Sequence, residues 1–247
     1  MPETFLILLS AGVMFAAAVP RPLDVTLRWL RLAGMIALSL TALSLFLWLR
    51  RGEIGSANQG ALYLAVAVLI LGQLAMTQTA RANAQRVFAL LATVAGVALA
   101  VRLLSSASWK IALSCAGVAV MCGVALMDML LGHAYLTASK MTMRPFHRLN
   151  DTLGITAVIR LIVATAGVLW LNSRSPVPML WGVYGLYMIT RWLVGLAVPL
   201  VFVYMARDCI ARRSTQSATG ILYVAGVLIF IGEILALNLA RETGLPF

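Results

Sequence analysis

The stretch KIALSCAGVAVMCGVALMDMLLG, residues 110–132, decides the class of this protein. Between Lys110 and Asp128 it contains no charged side chain. An apolar run of this length is typical of a helix that crosses a bilayer, because about 20 helical residues span the hydrocarbon core. The whole chain has the same character, since 62% of its residues are hydrophobic and 11% are charged, against about 25% charged in soluble domains. The sequence therefore predicts an all-α membrane protein.

Seven further apolar stretches repeat this pattern along the 247 residues. They predict a transmembrane bundle of about eight helices in a single integral membrane domain, residues 1–247, with no soluble domain. Glu3 precedes the first apolar run where a signal peptide would carry positive charge, so we interpret that run as a membrane span. Pro199 predicts a kink within the seventh span. The predicted spans cover about 4–19, 30–49, 60–78, 86–104, 110–132, 153–172, 177–205 and 218–240.

The formal net charge of +11 is explained by the loops between spans. Eleven Lys and Arg residues follow odd-numbered spans, and six lie at the opposite ends. Because positively charged loops stay in the cytoplasm, this bias predicts cytoplasmic odd-numbered loops and both termini outside, in the inner membrane of a bacterium. The expected surroundings are the lipid bilayer, and no nucleic-acid partner is predicted.

Four charged residues interrupt the predicted spans: Asp128, Arg160, Arg191 and Glu233. Charges at this depth are costly, so they are expected to face the bundle interior and to pair. Their depths predict two pairs, Asp128 with Arg160 and Arg191 with Glu233. Two interpretations stay open, because the pairs could only fix helix packing or could line a polar cavity for protons, a quinone or an anionic group.

Both histidines lie near the connection between the fifth and sixth spans. His133 ends the fifth span, and His147 follows Pro145 in what reads as a loop. Together they could hold a haem b whose propionates pair with Arg144, Arg148 or Arg160. The alternative is two interfacial histidines with ordinary hydrogen bonds. No metal site is predicted, because no third His or Cys lies nearby in the sequence.

A quinone site needs hydrogen-bond donors for two carbonyls, a group that exchanges protons, and an apolar slot for the tail. His133, Tyr135 and Lys140 could donate at the end of the fifth span, with Asp128 as a proton carrier. A second polar segment begins the last span on the same side of the membrane. The predicted site comprises Asp128, His133 and Glu233 as reactive groups, and Tyr135, Lys140, His147, Arg160, Arg191, Gln216 and Tyr223 as cofactor contacts.

Eight short-looped spans with isolated buried charges resemble the membrane anchor subunits of multi-subunit quinone-linked oxidoreductases, although no motif of that class matches residue by residue. The resemblance implies a subunit of a respiratory or electron-transfer complex that exchanges electrons and protons with membrane quinone, with or without a haem b, and that depends on partner subunits. Two alternatives remain. One is a proton-coupled transporter of small solutes with the four buried charges along its path, and the other is a scaffold or assembly subunit without chemistry of its own.

Overall fold

The computed structural model describes residues 2–51, 57–79, 81–104, 108–137, 142–172 and 177–244. These residues form a helical bundle without strands, which confirms the predicted all-α class. The α-helices within these ranges are α1 (Pro2–Ala18), α2 (Leu27–Arg50), α3 (Ala57–Gln78), α4 (Ala82–Leu103), α5 (Trp109–Thr137), α6 (Arg144–Asn172), α7 (Val177–Trp192), α8 (Val198–Ala211) and α9 (Thr215–Thr243). α7 continues through a π-helical turn, Leu193–Ala197, directly into α8, so these two helices form one continuous helical segment.

The helices have the length and composition of membrane spans. Within the described residues, seven helical stretches are long and apolar enough to cross a membrane, the shortest covering 21 residues. α1 is apolar but shorter, with 17 residues. The chain is therefore an integral membrane protein.

α6 differs most from its predicted bounds. It begins at Arg144, nine residues before the predicted start, so His147 lies in the first turn of a helix and not in a loop. Pro145 explains the difference, because a proline is well accommodated in the first helical turn, where backbone N–H groups lack intrahelical partners. The prediction of a loop there was therefore wrong.

The centre of the bundle is the contact between α1 and α5. A Cβ added to Gly12 of α1 would lie 2.9 Å from the Cα of Gly123 on α5, so the two backbones approach as closely as glycine permits. Side-chain hydroxyl groups form hydrogen bonds between α1 and its neighbouring helices. The Oγ of Ser10 donates to the carbonyl of Ala37 on α2 at 2.9 Å, and the Oγ1 of Thr93 on α4 donates to Ala11 at 3.1 Å.

The bundle has two ends of different charge. We call the end that carries the α1–α2, α3–α4, α5–α6 and α8–α9 connections the basic face. There Arg148 lies 3.7 Å from the carboxylate of Asp24, and Arg86 donates to the carbonyl of Pro20 at 2.6 Å. At the opposite end Arg51 pairs with Glu3 at 2.5 Å. The first two contacts bring the α1–α2, α3–α4 and α5–α6 connections to the same end of the bundle, as the predicted topology requires.

Candidate functional site

Three charged side chains meet inside the bundle where α6, α7 and α9 converge. Nε of Arg160 donates to Oε1 of Glu233 at 3.2 Å, and its Nη2 contacts Oε2. Nη2 of Arg191, in the last turn of α7, lies 2.8 Å from Oε1 of the same carboxylate. None of the three side chains is more than 3% exposed. We call this group the Glu233 cluster, and it confirms the predicted Arg191–Glu233 pair.

The Glu233 cluster carries two positive charges and one negative charge, so its formal charge is +1. Arg160 forms a bidentate contact, the strongest arrangement of guanidinium and carboxylate. The guanidinium of Arg191 has fewer hydrogen bonds. Its Nε and Nη1 have no hydrogen-bond partner among the described residues. Its Nη2 forms an ion pair with Glu233 that lacks the alignment of a hydrogen bond. The buried carboxylate of Glu233 thus has two guanidinium groups as counter-charges.

Glycines on three elements make room for the Glu233 cluster. A Cβ on Gly117 of α5 would come within 2.7 Å of the Cδ of Arg160. A Cβ on Gly195 of the π-helical turn would lie 2.6 Å from the Cα of Gly232 on α9, with Nη1 of Arg191 at 3.4 Å. Because side chains at these positions would displace backbone or guanidinium groups, the glycines are part of the architecture of the cluster.

The π-helical turn begins two residues after Arg191 and has a local cause. Pro199 has no backbone N–H and cannot form the hydrogen bond that an α-helix needs at that position. The N–H of Val198 instead donates to the carbonyl of Leu193, which is the wider spacing of a π turn. Such turns insert a residue into a helix and occur frequently at functional sites. The kink at Pro199 stays a prediction, and the structure shows this π-helical turn just before the proline.

Asp128 of α5 has a different environment. Its side chain is 0% exposed, and neither carboxylate oxygen has a hydrogen-bond partner among the described residues. The predicted Asp128–Arg160 pair is wrong, because Arg160 turns to Glu233 on α9. The two residues were predicted to lie at similar depth because the sixth span was started at residue 153. Arg160 instead lies beside Gly117, which is about 16 Å along α5 from Asp128 at the helical rise per residue.

The end of α5 at the basic face is fixed by structural contacts. Tyr135 donates its phenolic hydroxyl to the carbonyl of Thr142, and its ring stacks on Phe146 of α6 with centroids 5.2 Å apart. His133 is exposed on the same helix. The hydroxyl of Tyr135 is therefore already used in closing the α5–α6 hairpin.

The other predicted cofactor contacts do not gather around Asp128. His147 is half-buried in the first turn of α6, while Gln216 and Tyr223 are exposed along α9. Lys140 lies outside the described residues. Of the predicted site, the structure thus joins Arg160, Arg191 and Glu233 into one cluster, and it leaves Asp128 separate.

A groove of about 750 Å³ runs between α6 and α8 and opens at the surface of the bundle. Its end near the basic face is polar, with a 2.8 Å ion pair between Asp151 and Arg207. We call it the α6/α8 groove. It is lined by the polar residues Asn150, Asp151, Tyr204 and Arg207, and by Gly154, Ile155, Val158, Ile159, Leu200, Val201 and Val203.

The polar residues of the α6/α8 groove were missed in the sequence. Asn150 and Asp151 precede the predicted start of the sixth span at residue 153, so they read as loop residues. Tyr204 and Arg207 stand near the end of the seventh predicted span, where they read as interfacial anchors. The sequence does contain a signal, because Asn150 and Asp151 lie near one end of α6 and Tyr204 and Arg207 lie near the facing end of α8. Recognising that the two pairs face each other required the correct start of α6.

Comparisons with protein-family models, with curated proteins and with solved structures gave no match to this chain.

Proposed function

We propose that this protein is a membrane subunit of an electron-transfer complex and that it binds a quinone in the α6/α8 groove. The observation that carries the proposal is the gradient of polarity along the groove. Its volume of about 750 Å³ lies within the range of about 300–1,000 Å³ typical of small-molecule sites. Asn150 and Asp151 lie near the basic face, and Ile159 lies about 14 Å deeper along α6 at the helical rise per residue.

A quinone has the matching distribution of polarity. Its ring carries two carbonyl oxygens that accept hydrogen bonds, and its isoprenoid tail is apolar. Tyr204 and Arg207 offer donors at the polar end of the groove, and Asp151 offers a carboxylate for proton exchange. Gly154 leaves the groove open, because a Cβ built there would have its nearest neighbour, Cγ1 of Val203, at 3.5 Å.

The proposal also assigns the sides of the membrane. The basic face lies in the cytoplasm by the positive-inside rule, so the polar end of the groove exchanges protons with that side. Oxidation of a quinol releases two electrons and two protons. Asp151 receives protons at the groove, and the electrons pass to an acceptor carried by a partner subunit.

Photoaffinity labelling with an azidoquinone in native membranes tests the proposal. We expect labelling of groove residues and competition by unlabelled quinone. Gly154→Phe fills the groove and is expected to reduce labelling at least about tenfold, a loss of about 1.4 kcal/mol or more in binding. The matched control is Gly220→Phe, a glycine with open space around it between Gln216 and Tyr223.

The two phenylalanine variants separate the possible sites. Labelling that is lost in Gly154→Phe and retained in Gly220→Phe supports the groove. Loss only in Gly220→Phe would move the quinone to the polar start of α9, and equal labelling in both variants would contradict a glycine-lined site at either place.

A haem b between His133 and His147 remains a prediction of the sequence. A reduced-minus-oxidised difference spectrum of the protein purified with its partners tests it. A b-type spectrum that is lost in His147→Ala supports the prediction, and its absence in the wild-type complex contradicts it.

A second candidate function is the transport of a small anionic solute. The formal charge of +1 in the Glu233 cluster favours it, because an anion would balance the incompletely bonded Arg191. Purified protein in liposomes should then take up a small carboxylate in response to a pH gradient. Uptake equal to that of protein-free liposomes would rule this candidate out.

A further inference from the structure

Asp128 is a buried carboxylic acid whose position demands an explanation. It lies in α5, one of the two central helices, with no exposed surface and no hydrogen-bond partner for either oxygen among the described residues. An ionised carboxylate without a partner in an apolar interior is far more costly than the neutral acid. This holds with more force in a bilayer, where buried acids are rare and mark sites of function.

Among the described residues, the charged groups on the helices packed against α5 give Asp128 no counter-charge. On α6, Asp151 is another carboxylate and supplies no positive charge. The other candidates are engaged elsewhere or lie at helix ends. Arg160 of α6 and Glu233 of α9 bind each other. Arg86 of α4 donates to the carbonyl of Pro20. Glu3 of α1 pairs with Arg51 at the opposite end of the bundle.

The register of the helices places a second unpartnered polar group at the depth of Asp128. A Cβ on Gly132 of α5 would lie 3.0 Å from Phe146 of α6, so these positions face each other. One helical turn further from the basic face, α5 presents Asp128 and α6 presents Asn150. Asn150 is 1% exposed and donates to the carbonyl of Val203 at 3.2 Å, but its Oδ1 has no partner.

Asn150 and the adjacent Asp151 both line the α6/α8 groove. The side chain of Asp151 is 41% exposed, so protons reach it from water. We infer that Asp128 is a buried proton-binding site that exchanges its proton with the carboxylate of Asp151, beside the amide of Asn150, and that Asp151 exchanges it with water at the basic face. The bound proton is the acidic O–H of the Asp128 carboxyl group. The inference goes beyond the proposed function and does not require a bound quinone.

Infrared spectroscopy of the purified protein at neutral pH, in a detergent without ester or carboxyl groups, tests the inference. The wild-type protein should show the carbonyl stretch of a protonated carboxylic acid. Asp128→Asn should remove this band with little disturbance of the fold, because the two side chains have nearly the same shape. Glu233→Gln should leave the band in place. A wild-type spectrum without the band, or a band that persists in Asp128→Asn, would overturn the inference.

The route is tested by the rate at which the band shifts after transfer to deuterium oxide. Asp151→Asn should slow the shift about tenfold or more, as expected for a relay step whose barrier rises by about 1.4 kcal/mol. The matched control is Asp208→Asn, since Asp208 is also exposed and also pairs with an arginine, Arg212, which directly follows α8. Equal exchange rates in the two variants would overturn the route through Asp151, and slowing confined to Asp151→Asn supports it.

Discussion

Glu233 and Asp128 are two carboxylic acids with the same burial and opposite surroundings. Both side chains are 0% exposed, and both lie in helices of the membrane-spanning bundle. Glu233 meets two guanidinium groups from two other helices, while Asp128 meets none among the described residues. Burial alone therefore does not fix the charge of an acid in this protein, because the partners decide whether it stays ionised or holds a proton. In this account Glu233 is a fixed charge, and Asp128 is the group that exchanges protons.

Removing the negative charge of Glu233 should have the largest effect on the free energy of unfolding. Glu233→Gln leaves two buried guanidinium groups without a counter-charge, and we expect the free energy of unfolding in mixed micelles to fall by about 3–5 kcal/mol. The control is Glu242→Gln, an exposed acid on the same helix. Equal losses in the two variants would show that the Glu233 cluster is not an ionised, stabilising group.

The two arginines of the Glu233 cluster should differ in their contribution to the free energy of unfolding. Arg160→Met removes the bidentate partner of Glu233 and should cost about 3 kcal/mol. Arg191→Met leaves that bidentate pair intact and removes the excess positive charge, so its loss should stay near about 1 kcal/mol. The same unfolding titration measures both. A larger loss for Arg191→Met would reverse the assignment of the stronger partner.

Disrupting the contact between Gly195 and Gly232, beside the Glu233 cluster, should have an intermediate effect on the free energy of unfolding. A side chain at Gly232 would meet the backbone of Gly195, so Gly232→Ala should force α9 away from the π-helical turn at a cost of about 1–3 kcal/mol. Gly226→Ala, on the same helix with nothing near its added Cβ, should be neutral or stabilising by up to about 1 kcal/mol. If both variants behave alike, the close approach of the two helices does not hold the cluster together.

Much of the fold could be predicted from the sequence, since the length of an apolar stretch indicates a membrane span. The orientation across the membrane that loop charge indicates stays a prediction. The error at α6 arose from one residue. Pro145 reads as a helix breaker, but in the first turn it begins the helix, and this moved His147, Asn150 and Asp151 from a predicted loop into α6.

The candidate site could be predicted only in part. Arg191 and Glu233 were paired correctly by depth, but Arg160 was placed too close to the basic face, because α6 begins nine residues before its predicted start. The helix that receives Arg160 depends on Gly117, which leaves space beside its side chain, and on the position of α9 in the bundle. Such choices follow from tertiary packing and leave no pattern within a single span.

One pair of variants tests the central comparison most directly, because the same chemical change is made at two equally buried positions. Glu233→Gln and Asp128→Asn each replace a carboxyl group by an amide of similar shape. With unfolding of both variants measured in the same micelles, Asp128→Asn should change the free energy of unfolding by less than about 1 kcal/mol, since a neutral acid is exchanged for a neutral amide. Glu233→Gln should lose several times more. Equal losses at the two positions would contradict the account, because both acids would then carry the same charge.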